Sequence, residues 1–163
     1  GDVVLGLPSN GLHTNGYSLA RKVLLGKMRL KVDAAVDGLD HSLGEELLRT
    51  HRNYQPLLAT VPIRSIHGLA HITGGGLVDN LPRVLPKNCD ALISTKSWRV
   101  PPIFQLIHEH GNVPREEMYQ VFNMGIGMVA IVAEKGASDI ARKLKAKRIG
   151  TVEPGNGRTR LLF

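Results

Sequence analysis

Cysteine occurs once in the 163 residues, and Phe, Tyr and Trp together make up only 4% of them. The lone Cys89 excludes an internal disulfide, so a reducing, cytoplasmic setting is the default expectation. So few aromatic rings leave little to stack against single-stranded bases. No run of about 18 apolar residues exists, which excludes a transmembrane helix. No basic stretch followed by an apolar one opens the chain, so no signal peptide is expected. An initiator Met is lacking too: "GDVVLGLPSNG" enters a strand-like run at once. The chain therefore reads as a piece of a longer protein, with part of any site in the missing portion.

What is present suits one folded domain over residues 1–163: 42% hydrophobic and 21% charged residues, in a length that can bury a substantial core. The net charge of +7 raises the possibility of a nucleic-acid partner. However, Lys135, Arg142, Lys143, Lys145, Lys147 and Arg148 crowd one short region. Most of them fall at or after the end of a predicted helix, where cations suit the helix dipole. A solvated face is the plainer account of them.

Hydrophobic patterning predicts strands at Val3–Leu7, about Ile66–Ile72, Asp90–Thr95 and Gly125–Ala133, the last apolar on both faces and therefore central. Helices are predicted from Tyr17 onward and at Ser42–Arg49, Leu77–Val84, Pro102–His110, Glu116–Phe122 and Ser138–Leu144. Ser42 with Glu45 three residues on makes a capping box, Pro102 suits a first helical turn, and Ser138 is read as an N-cap. Two further strands, about Arg148–Glu153 and Arg158–Leu162, flank "PGNG". Asn156-Gly157 there signals a tight hairpin turn. The expected class is α+β with α/β-like layering: a mixed sheet packed with helices in a single domain.

Two loops carry the chemistry. "SNGLHTNG" (9–16) and "HITGGG" (71–76) each precede a predicted helix. Three consecutive glycines are a poor choice for helix or strand, so Gly74, Gly75 and Gly76 imply a turn through positive φ or the close approach of a ligand. Exposed amides at a helix start suit phosphate, with Ser9, Asn10, Thr14, Asn15 and Thr73 as further donors and His13 as a donor or a cation. As a loop residue, His13 is expected to add little to the core. Neither loop has Walker or dinucleotide spacing. No metal site is expected. His67 and His71, four apart, sit on a predicted strand, and His108-Glu109-His110 lacks the H-E-x-x-H spacing. Cys89 has no evident base to make it a nucleophile.

"GDVVLGLPSNGLHTNGYSLARKVL", "LAHITGGGLVDNLPRVLP", "SWRVPPIFQLI" and "EEMYQVFNMGIGMV" each resemble a block of the aminoimidazole ribonucleotide synthetases, also called phosphoribosylformylglycinamidine cyclo-ligases, in that family's order and over nearly the whole chain. The looser loop pattern is shared with formylglycinamidine ribonucleotide synthetase, thiamine-monophosphate kinase, selenophosphate synthetase and a hydrogenase-maturation protein. The resemblance implies the C-terminal domain of an enzyme of purine biosynthesis. In that reaction ATP phosphorylates the formamide oxygen of formylglycinamidine ribonucleotide, the amidine nitrogen attacks, phosphate leaves and the imidazole ring closes. It also implies an N-terminal domain that supplies most ATP and Mg2+ contacts and most of a homodimer interface. His13, Asn15, Gly16, Thr73, Gly74, Gly75 and Gly76 are carried over as lining the substrate and phosphate cleft, with Asn123 less directly. His13 carries the polarising or proton-shuttling role. "RTHRNY" departs from the family pattern: Thr50, Arg52 and Tyr54 match it, but His51 stands where Pro is usual. Two alternatives stay open: a basic nucleic-acid-binding module, and another ATP-dependent enzyme of the same superfamily.

Overall fold

The computed structural model describes residues 1–163 and is organised around one six-stranded sheet. The strands are β1 (Val3–Pro8), β2 (Gly68–His71), β3 (Cys89–Ser94), β4 (Ile126–Val132), β5 (Lys147–Pro154) and β6 (Thr159–Leu162), in the spatial order β2-β4-β1-β5-β3-β6. Every neighbouring pair is antiparallel except β3 and β6, which makes the sheet mixed, as expected. Seven helices accompany it: α1 (Tyr17–Arg21), α2 (Leu43–Leu47), α3 (Gln55–Leu58), α4 (Gly76–Asn80), α5 (Pro102–Gly111), α6 (Arg115–Val121) and α7 (Ala137–Leu144).

Both faces of the sheet are covered, and this explains its continuous apolar runs. On one face Val4, Ile93, Val129 and Ile149 join a core with side chains of α1, α2, α4, α5 and α6, including Ala20, Leu43, Leu77, Phe104 and Met118. On the other face Val3, Leu5, Leu7, Ala130 and Val132 meet Tyr54, Val61, Ala137 and Leu144 in a smaller core beside α3 and α7. Successive residues of a strand point to opposite faces, so "VVL" is apolar throughout because each side has a helical layer to bury against.

Local signals held where the chemistry was local. Ser42 accepts from the Glu45 amide at 3.3 Å while Glu45 Oε2 accepts from the Ser42 amide at 2.9 Å, completing the capping box. Pro102 opens α5. The helix from Tyr17 widens into a π-turn over Lys22–Lys27, and Ala20, Val23 and Leu24 are buried along it.

Three readings need correction. Ser138 is not a cap: α7 begins one residue earlier, after Gly136 in the left-handed region, with no side-chain cap. Helix α3 follows Tyr54 without a sequence expectation, because four residues are too few to display a helical period. The C-terminal hairpin does not exist. Strands β5 and β6 flank β3, antiparallel and parallel to it respectively. Gly155–Arg158 therefore crosses the start of β3, and Asp90 holds it there: its carboxylate accepts from the amides of Asn156 at 2.7 Å and Arg158 at 2.9 Å.

Candidate functional site

The first glycine-containing loop leaves β1 at Pro8 and is pinned from beneath by Asn123. The Asn123 Oδ1 accepts from Ser9 Oγ and from the Gly125 amide, both at 2.8 Å, and its Nδ2 donates to the carbonyls of Gly11 at 2.9 Å and Leu12 at 3.2 Å. Asn123 is 3% exposed and its amide is fully committed within the protein, so in this geometry it positions the loop rather than meeting a ligand. A second clamp comes from the side. Tyr54 Oη and Arg52 Nη1 both donate to the Pro8 carbonyl, at 3.0 and 3.1 Å, and Asn10 Nδ2 donates to the Thr50 carbonyl at 2.8 Å. Gly16 ends the loop under the Phe122 ring, where a Cβ would collide.

The second loop runs from the end of β2 into α4. Gly75 (φ 95°) and Gly76 (φ 58°) adopt the left-handed region. A Cβ on Gly76 would run into the Tyr119 carbonyl, and one on Gly75 would stand 2.6 Å from the Asp79 Cβ. Much of the glycine requirement is thus structural. Asn80, 4% exposed, organises the loop from inside, donating to the carbonyls of Gly74 at 3.2 Å and Gly76 at 2.7 Å. Thr73 Oγ1 donates to Asn80 Oδ1 at 3.2 Å. Helix α4 spans only five residues before a 3-10 turn, too short for a substantial dipole.

The two loops meet at Asn15 and Gly74, where a Cβ on Gly74 would lie 3.6 Å from Asn15 Oδ1. Asn15, Gly16, Thr73 and Gly75 are half-buried and Gly74 is exposed. The amides of Asn15, Gly74 and Gly75 donate to no backbone carbonyl, while the carbonyls of Gly74 and Gly76 accept from Asn80. Free amides and an asparagine side chain on facing loops can bind an anion. The main cavities lie elsewhere, one lined by Tyr17, Arg21 and Leu48, another by Asp2, His67 and Arg83. None of these main cavities lies between the loops, which meet at an open rim.

His13 departs from its expectation. It is 4% exposed, with φ 59°. Its ring stacks on His51, centroids 3.9 Å apart, and His51 Nε2 lies 3.1 Å from His71 Nε2. Burial first, then the neighbouring His51, His71 and Arg52, pulls the His13 pKa down to about 4. At neutral pH it is uncharged, so the cationic role expected of it is removed. His71, which the sequence paired with His67, instead joins His13 and His51. His67 turns away to Asp2, Nδ1 to Oδ2 2.6 Å, and His108 Nδ1 donates to the Val113 carbonyl at the end of α5. Sequence reasoning missed His51 and Asn80 as organisers of the site. The interruption at "RTHRNY" was the only signal for the first.

These residues do not make an Mg2+ site. Mg2+ takes oxygen ligands. Asp79 is the carboxylate against the second loop, and the one group of three potential ligands in the chain is the all-nitrogen set of His13, His51 and His71.

The comparisons with known proteins agree with this architecture. The family model described as AIR synthase related protein, C-terminal domain, matches residues 1–161. A phosphoribosylformylglycinamidine cyclo-ligase from Syntrophus aciditrophicus (strain SB) is 49% identical over 163 residues, covering 96% of this chain and 47% of the relative. The enzyme of that name from Bacillus subtilis (strain 168) is 46% identical over 165 residues, covering 98% of this chain and 48% of the relative. This chain spans about half the length of the curated relatives it matches. Among solved structures, a hydrogenase maturation protein HypE superposes with a TM-score of 0.64 at 17% identity, over 99% of this chain and 49% of that one. Thiamine-monophosphate kinase from Stenotrophomonas maltophilia K279a does so with 0.61 at 16%, over 99% and 50%. Those two likenesses concern the fold alone. With its mixed sheet between two helical layers, its paired loops and a match over nearly its whole length, the chain belongs to the AIR synthase related family, as a C-terminal domain of that family.

Proposed function

We propose that this chain is the C-terminal half of a phosphoribosylformylglycinamidine cyclo-ligase, the ATP-dependent enzyme that closes an imidazole ring in purine biosynthesis. The observation that carries the reading is the meeting of Asn15 and Gly74 at an open rim whose amides are unspent, in a chain 46–49% identical to the relatives quoted above. The balanced reaction moves the γ-phosphoryl group of ATP onto the formamide oxygen of formylglycinamidine ribonucleotide. The amidine nitrogen then forms the new C–N bond as the C–O bond to phosphate breaks, giving aminoimidazole ribonucleotide, ADP and phosphate. Such chemistry asks for positioned donors rather than a covalent nucleophile.

In this reading Asn15, Gly74 and the Thr73 and Gly16 backbone line the phosphate-bearing side of the cleft, while Gly75 and Gly76 hold its shape. The Asp79 carboxylate opposes an anion at Gly75 itself, which places the weight on Asn15 and Gly74. His13, neutral at working pH, contributes hydrogen bonding or accepts a proton. An N-terminal domain outside this chain supplies the remaining ATP contacts, the Mg2+ ligands and the surface of a homodimer. The residues here assign no step to the metal.

The test is product analysis with the longer protein that contains this chain. Formylglycinamidine ribonucleotide and Mg-ATP should yield aminoimidazole ribonucleotide, ADP and phosphate in equal amounts. ATP consumption only with a different acceptor, such as thiamine monophosphate, would move the protein to another member of the superfamily.

A further inference from the structure

The histidines at the edge of the rim have a chemistry of their own. They come from three separate segments: His13 from the first loop, His51 from the stretch between α2 and α3, and His71 from the end of edge strand β2. One ring nitrogen of each lies within 4.8 Å of the other two. His51 Nε2 and His71 Nε2 are 3.1 Å apart. Two nitrogens bound to one ion at about 2.0–2.1 Å are separated by roughly 2.9 Å at a right angle and 3.4 Å at the tetrahedral angle. The His51–His71 edge falls between these limits.

The surroundings bias which nitrogens are free. Asn10 Nδ2 donates to the Thr50 carbonyl, which turns Asn10 Oδ1 toward His13 Nε2 at 2.9 Å. The carboxamide oxygen calls for a proton on Nε2, whereas the Asn10 backbone amide donates to the same nitrogen at 3.4 Å; the shorter contact favours Nε2–H, with the lone pair on Nδ1. That Nδ1 is the one buried side-chain nitrogen or oxygen in the chain with no partner. Thr14 Oγ1 lies 3.5 Å from His51 Nδ1, and a hydroxyl there can accept from Nδ1–H, the tautomer that leaves Nε2 unprotonated, or donate to the other. A carbonyl or hydroxyl on the far nitrogen is the usual support for a ligating imidazole.

We propose that His13, His51 and His71 form a site for one divalent transition-metal ion that favours imidazole nitrogen, of the class of Zn2+, Co2+ or Ni2+. His51 and His71 supply the preformed edge. His13 completes the triangle when its ring turns out of the stack with His51 and brings one nitrogen inward by about 1.5 Å, to the spacing of a tetrahedral site. Water takes the remaining position on the exposed side, where His71 is open to solvent. Three nitrogens and no carboxylate select against Mg2+ and Ca2+. The site is distinct from any nucleotide-bound Mg2+, and an ion there would take up the His13 lone pair, so metal binding and a proton-accepting His13 exclude each other.

Untagged protein titrated with Co2+, followed by visible absorption, and with Zn2+, followed by calorimetry, tests this directly. One ion per chain is expected, undisturbed by a large excess of Mg2+. His51→Asn and His71→Asn should each weaken binding by about 100-fold or more, and Asn10→Ala, which frees the His13 ring, by about tenfold. His67→Asn should change nothing, since His67 faces Asp2. His71 lies exposed at an edge strand, so its replacement leaves the cores untouched and separates ligand loss from unfolding. Absence of binding by the unaltered protein, or equal affinity in the His71 and His67 variants, would overturn the proposal.

Discussion

At Gly74 and Gly76, two residues apart in one loop, an added methyl group meets opposite fates. Gly76 has φ 58° and faces the Tyr119 carbonyl, a backbone atom that cannot swing away. Left-handed strain and overpacking together cost about 2–6 kcal/mol. Gly74 lies outside the left-handed region, and its only near neighbour is Asn15 Oδ1 at 3.6 Å. Gly76→Ala should therefore lower the urea midpoint sharply, whereas Gly74→Ala should stay within about 0.5 kcal/mol of the unaltered protein. In the longer protein, Gly74→Ala should still reduce turnover, because the methyl group enters the gap between the loops. Equal destabilisation by both would show that the first glycine is structural as well. The same distinction separates Asn15, whose side chain is unengaged, from Asn123, whose amide spends all its hydrogen bonds on holding the loop. Both are asparagines in turn-like sequence, and only their partners tell them apart.

Among the elements, the crossing from β5 to β6 is the least expected. "PGNG" has the composition of a hairpin turn, and its residues do turn, but over the end of a third strand. Gly155 passes so near the Asp90 carboxylate that any Cβ would collide with it. Hydrogen bonds from the Arg158 and Asn156 amides hold the Asp90 pKa below its ordinary value of 3.8. A carboxylate with a lowered folded-state pKa contributes stability that is complete above its unfolded value. That contribution is lost as pH falls through the folded value. Asp90→Asn has no such titration. The stability gap between the unaltered protein and this variant, from urea midpoints at a series of pH values, should be constant above about pH 5 and shrink below 3.8. A gap independent of pH would mean that the charge does not hold the crossing.

Over the whole molecule, the loops sit at an open rim while both sheet faces are already filled by helices. An open rim cannot exclude water or hold ATP and a second phosphate-bearing substrate in line. This chain by itself should therefore give no detectable ring closure in an assay where the longer protein turns over readily; comparable rates would show that the rim is a complete site. No helix of the chain is long and apolar enough to cross a membrane. The strands and most helices were legible because burial on two faces, Ser42 capping and Pro102 at a first turn are written in residues close in sequence. So were the glycine turns of the two loops, since a left-handed backbone needs no distant partner. Strand order was not legible, because the pairing of β3 with β6 depends on Asp90 capturing a turn 66 residues away. The histidine cluster was hidden for the same reason. His13, His51 and His71 have no common spacing along the chain, and only the packing of the Thr50–Tyr54 segment against the first loop brings their rings together.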